Sequence, residues 1–151
     1  MKNVFLSLSA LLMCMLMTGC GNSTDSIKSL TEDISENGND WKDADQWEKA
    51  GKEFFEACCA FAESDFTEDE LDEFVDQCKE LLDAVADIDN SKAKKAMEKG
   101  LKKVGKDKDL EMRLKNAYRK AEKRLKKLDV SIDDIVDRDT QSKMERVKGS
   151  F

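Results

Sequence analysis

Apolar residues recur at helical spacing along most of the chain. Trp47, Ala50, Phe54, Ala57 and Phe61 advance in alternating steps of three and four, and Ala44, Cys58 and Ala62 widen the same stripe. An α-helix turns once every 3.6 residues, so this spacing collects the set on one face. It predicts a first amphipathic helix over residues 42 to 64. Phe66-Thr67-Glu68-Asp69-Glu70-Leu71 comes next. A threonine with glutamate three places on satisfies two orphan N–H groups reciprocally, and Phe66 and Leu71 stand where a hydrophobic staple would pair them. A second helix therefore starts there, with Leu71, Phe74, Val75, Cys78, Leu81, Leu82, Val85 and Ile88 on one face. The connection is only a few residues long, which predicts an antiparallel hairpin.

Asp89-Asn90-Ser91 reads as a stop followed by a new cap, after which Ala93, Ala96, Met97, Leu101 and Val104 form a thinner stripe. Gly100 weakens this third helix and Gly105 ends it. Asp107 or Asp109 then caps a fourth, in which Leu110, Leu114, Ala117, Tyr118, Ala121, Leu125 and Leu128 repeat with helical period. Ser131 and Asp134 are placed to start a short last helix holding Ile132, Ile135 and Val136. The expected fold is all-α: a helical bundle of about four helices in two antiparallel hairpins. Composition agrees, since proline is absent and 39% of residues are charged.

The first 40 residues follow another pattern. Lys2 is followed by 14 residues without charge, Val4 to Met17, and then by Thr18-Gly19-Cys20. As a helix this run reaches roughly 21 Å, short of a membrane core of about 30 Å, but it suits the apolar segment of a secretory signal with a small residue before the cut. Leu16-Met17-Thr18-Gly19-Cys20 resembles the lipobox of bacterial lipoproteins, with Met17 where that family usually has leucine. The resemblance implies cleavage before Cys20, a thioether-linked diacylglyceryl group on its thiol, and membrane attachment through that lipid. Gly21 stands where aspartate would signal inner-membrane retention, so the resemblance further implies the outer membrane of a Gram-negative host. The chain is similar to the small helical lipoproteins of such bacteria. Residues 21 to 40, GNSTDSIKSLTEDISENGND, are rich in Gly, Ser, Asn and Asp and read as a flexible spacer. The expected organisation is a signal peptide over 1–19, a lipidated N-terminus and tether over 20–40, and one helical domain over 41–151.

Charge divides the domain. Residues 31 to 90 carry a net −17 and residues 91 to 128 a net +11, within a total of −7. Either the two halves pack together and screen one another, each exposed pair giving little, or the basic half offers a face to an anionic partner. Lys94, Lys95, Lys99, Lys102 and Lys103 are the candidate face. In an envelope its partner would be an acidic protein, a lipid headgroup or a lipopolysaccharide phosphate. Nucleic acid is not expected, because an exported chain of net negative charge with only Tyr118 among those lysines lacks stacking aromatics.

Catalytic chemistry finds little support. There is no histidine, which removes the commonest general base and zinc nitrogen ligand. The seven glycines do not cluster as a phosphate-cradling loop. Neither Glu68-Asp69-Glu70-Asp72-Glu73 nor Asp133-Asp134-Asp137-Asp139 has the spacing of a calcium loop. No catalytic residue, metal or cofactor is expected. Cys58, Cys59 and Cys78 are candidates for a bridge from either member of the pair to Cys78, or for buried thiols serving as small apolar residues. Trp41 and Trp47 read as core or hairpin-edge anchors, with a carbohydrate platform as the alternative. The function expected is a non-enzymatic envelope interaction or structural module. A periplasmic chaperone-like binder, or an enzyme using carboxylates or thiols, is the alternative.

Overall fold

In a computed structural model, residues 21 to 131 are described, with side chains from Asp25 onward. They form five α-helices and no strand: α1 (Gly21–Asn37), α2 (Ala44–Ala62), α3 (Glu68–Ala86), α4 (Ser91–Val104) and α5 (Lys108–Leu128), with a 3-10 turn at Gly38–Asp40. The all-α expectation holds. The expected last helix around Ile132 and Ile135, and the acidic cluster from Asp133 to Asp139, lie outside the described residues.

From α2 to α5, each helix start has a local cause. Asp43 caps α2 by accepting from Asp45 N, Asn90 caps α4 by accepting from Lys92 N and Ala93 N, and Asp107 caps α5 by accepting from Leu110 N. These side chains satisfy N–H groups that the first turn leaves without carbonyls. The capping box of α3 is present in both directions: Thr67 Oγ1 accepts from Glu70 N at 3.3 Å, and Glu70 Oε2 accepts from Thr67 N at 2.7 Å. Phe66 and Leu71 are both fully buried beside it. At the other end of the chain, α5 stops in a left-handed residue, Asp129, with φ 57°. Val130 N then bonds back to Leu125 O at 3.2 Å, the six-to-one bond of a Schellman cap.

The spacer reading of residues 21 to 40 is corrected by α1. Ile27, Leu30 and Ile34 advance by three and four, and all three are buried in the main core with Phe54, Phe61, Phe74 and Leu81. Three apolar residues in twenty gave too weak a period to outweigh the Gly, Ser and Asn around them. A neighbour's apolar face makes the difference, since tertiary packing supplies most helical stability in proteins. The domain boundary expected at Trp41 therefore falls inside the bundle.

The order of packing also differs from two hairpins. The most extensive backbone packing is between α2 and α4 and between α1 and α3, ahead of that between the chain neighbours α1 and α2. α1 and α3 run in the same sense, because their ends converge: Gly38 is wedged against Ile88, and Asn39 Oδ1 accepts from Asp89 N and Asn90 N, each at 3.0 Å. α2 runs opposite to α3, with Trp47 near that convergence and Phe61 stacked on Phe74 at 4.8 Å. Large side chains stand between these two backbones, which do not pack closely against each other.

The second hairpin does not form. Gly100 lies against Ala44 and Glu48, Val104 against Gly51, Asp107 near Lys52, and Ala117 and Ala121 beside Cys59 and Ala62. Arg124 reaches Phe66 and Asp65. Rising numbers meet rising numbers, so α4 and α5 follow one another along α2 in its own direction. The break at Gly105 to Asp107 bends the path without reversing it, because Gly105 keeps right-handed helical dihedrals, φ −66° and ψ −10°. α2 consequently has neighbours on two sides. Phe55, Cys59 and Gly51, outside the expected stripe, are buried as well.

Candidate interaction surface

Two linked acid–base groups join α2 to α4 and α5. Lys103 Nζ pairs with Asp45 and lies 3.3 Å from Glu48 Oε2, while Lys52 Nζ lies 3.0 Å from Glu48 Oε1 and 3.8 Å from Asp107. Hydrogen bonds from Lys52 and Lys103 hold the Glu48 carboxyl below its ordinary value of 4.5. The reciprocal bonds raise both ammonium groups above their ordinary 10.5, Lys52 through Glu48 and Lys103 through Asp45 and Glu48. These contacts are exposed at their charged ends, so they fix register more than they stabilise.

They also divide the expected anionic-partner face. Lys103 is occupied by α2 and Lys102 by Glu98 one turn back. Lys94, Lys95 and Lys99 are exposed and have no ion pair among the described residues. Lys95 and Lys99, with Lys92, line an open groove of about 660 Å³ whose far side carries Asp40, Lys42 and Asp43. Lys94 lies about 100° round the helix from Lys95. The five lysines therefore do not form one face, and the groove that takes two of them presents carboxylates opposite.

A larger uncommitted basic surface lies on α5. Arg119, Lys120, Lys123 and Lys127 are exposed and unpaired among the described residues, on the side of α5 away from the buried Ala117, Ala121 and Leu125, while Arg113, also exposed, flanks the buried stripe near Cys59. Lys115 and Lys126 are tied to Glu111 and Glu122 at the edge of this side. Met112, 59% exposed, is the one large apolar residue left open among those described. Arg124 is engaged within the bundle, where its Nε donates to Phe66 O at 2.8 Å and its Nη2 to Asp65 O at 3.3 Å, satisfying carbonyls between α2 and α3. The signal for this face was in the sequence. Lys120 and Lys127 are seven residues apart and Arg119 and Lys123 fall beside them, away from the apolar stripe.

Cys58, Cys59 and Cys78 are buried, and no disulfide joins them. Cys58 and Cys78 belong to the main core, whereas Cys59, its neighbour on α2, joins Ala62, Ala117 and Ala121 under α5. Of the two alternatives for these residues the bridge to Cys78 is not formed, and successive positions on a helix divide Cys58 and Cys59 between two packing surfaces. Burial pushes the Cys59 thiol up to about 11, against the opposing pull of Arg113, so at neutral pH it stays a protonated, weakly reactive group. Cys20, the expected lipidation residue, lies outside the described residues. Trp47 is 2% exposed, meets Trp41 edge to face at 5.1 Å, and donates from Nε1 to Trp41 O at 2.9 Å. It is an anchor and has no face free for a sugar. Among the described residues no three His, Cys, Asp or Glu side chains converge to hold a metal, and no helix is long and apolar enough to cross a membrane.

Fold and surface together define a highly charged all-α bundle of five helices, acidic along α3 and basic along α4 and α5. Compared with known proteins, the chain matches no family model, no curated protein and no solved structure.

Proposed function

We propose that the chain is a lipid-anchored envelope lipoprotein whose helical bundle serves as a non-enzymatic interaction module. The observation that carries the reading is Leu16-Met17-Thr18-Gly19-Cys20 at the end of a 14-residue uncharged run, directly before a bundle whose described core extends from Ile27 to Leu125. A thiol at that point has a use outside the bundle, because it is the side chain on which a thioether-linked lipid can be built. Two or three acyl chains, at about 0.8 kcal/mol per buried methylene, make such an attachment effectively permanent. Gly21 supports delivery to an outer membrane rather than retention at the inner one. The partner in this reading is an envelope protein or an anionic envelope component, met through charged helix surface.

The test is metabolic labelling with a clickable fatty acid, followed by membrane fractionation of the full chain and of Cys20→Ala. Label and membrane retention are expected to depend on Cys20, while the thermal midpoint of the bundle stays unchanged. Retention of the Cys20→Ala chain in the membrane fraction would sink the reading.

A further inference from the structure

α1 is helical from Gly21, the first described residue, which is the chain neighbour of Cys20. Ile27, fully buried, is six residues beyond Gly21, roughly 9 Å along the helix. Because α1 and α3 run in the same sense, the start of α1 lies at the end of the bundle where α3 starts, beside Phe66. Arg124 ties α5 to that end through Phe66 O and Asp65 O. The cations nearest Arg124 along α5 are Lys120, Lys123 and Lys127, all exposed and unpaired among the described residues.

From these placements we infer that the outward face of α5 docks on the anionic lipid headgroups of the bilayer that holds Cys20. The geometry rests on the lipid-anchor reading, but the affinity of the face does not. Arg119, Lys120, Lys123 and Lys127 extend over eight residues, roughly 12 Å of helix. Their charge is spread along exposed helix surface, which suits several headgroups at once better than one ligand. The attraction belongs to this face and not to the whole chain, whose net charge is −7. A Debye length of about 8 Å at physiological salt limits what distant acidic groups do to it, whereas Glu68, Asp69 and Glu70, which open α3 just beyond Phe66, stand at the same end of the bundle and lower the attraction.

The experiment uses residues 20–151 with Cys20→Ser, which retains every described helix and has no lipid, and vesicles of phosphatidylcholine with or without 30% phosphatidylglycerol. Co-sedimentation with the anionic vesicles is expected, weakening as salt rises, with little binding to the neutral ones. The combined variant Arg119→Gln, Lys120→Gln and Lys123→Gln should weaken it about a hundredfold, from roughly fivefold per cation near such a surface. The combined variant Lys94→Gln, Lys95→Gln and Lys99→Gln should change it less than about threefold. Both variants alter exposed, unpaired side chains, and an unchanged thermal midpoint verifies that each is folded. Binding that ignores lipid charge, absence of binding, or loss caused by the α4 variant and not the α5 variant overturns the inference. Vesicle binding by α5 in a chain that cells do not label at Cys20 removes the lipid-anchor reading and supports the face.

Discussion

Gly100 sits where α4 crosses the first turn of α2. A Cβ there would stand 2.5 Å from Ala44 O and 2.7 Å from Glu48 N, both backbone atoms that cannot turn aside. The same glycine lowers the helix propensity of α4 by about 1 kcal/mol relative to alanine, so close approach and not local preference explains its position. Gly51, farther along α2 under Leu101 and Val104, is a different case. Its Cβ would meet Val104 Cγ2 at 3.1 Å and Leu101 Cδ2 at 3.3 Å, which are side-chain ends able to shift. Gly100→Ala should therefore lower unfolding free energy by about 2 kcal/mol through overpacking, while Gly51→Ala stays within about 1 kcal/mol of the parent. Urea denaturation of both variants measures the contrast, and equal effects would contradict the close crossing.

Glu48 gives a residue-level prediction in pH. Its carboxyl titrates below 4.5 in the folded chain because Lys52 and Lys103 hydrogen-bond its charged form. A folded value below the unfolded one means that the contribution is present above the ordinary carboxylate range and is lost as pH falls through the depressed value. Lys52 and Lys103 shift the other way, so their contribution is present below 10.5 and disappears as pH rises past their elevated values. Glu48→Gln should flatten the acid side of the stability profile below about pH 4.5 and shrink the alkaline decline above about pH 10.5. Thermal midpoints across pH 2 to 11 test both limbs, and an acid limb unchanged by the substitution would dissociate Glu48 from it.

The helices were legible to different degrees, for reasons that differ by element. The start of α3 was evident in Thr67-Glu68-Asp69-Glu70 because a capping box is a purely local device, and α2 was evident because its apolar stripe is long. α1 was not. Ile27, Leu30 and Ile34 carry the right period, but only the faces of α2 and α3 make burying them favourable. Deleting most of a buried isoleucine costs about 2–5 kcal/mol. Ile34→Ala should cost that much in urea denaturation, whereas a spacer would tolerate it without measurable change. The α5 face was legible in spacing but not in availability. Lys102 and Lys103 look in sequence like their neighbours, and their ion pairs with Glu98 and Asp45 become visible only once α4 lies on α2.

Across the whole molecule, opposite charges divide between the first and second halves of the chain, and the fold places them on opposite sides of α2. A few exposed ion pairs join the two sides along the α2–α4 seam, which leaves most of the basic residues of α5 free for contacts outside the bundle. The sequence by itself determined the helical class, three of the helix starts, the apolar stripes of α2 to α5, and the address-like run ending at Cys20. All of these depend on residues within one or two turns of each other. Only the tertiary structure decided that α1 belongs to the core, that α4 and α5 follow α2 instead of folding back on each other, and which cations remain unpaired. Those outcomes depend on which faces meet across 50 or more residues, as Asn39 does with Asn90 and Arg124 with Phe66, and no local period encodes that choice.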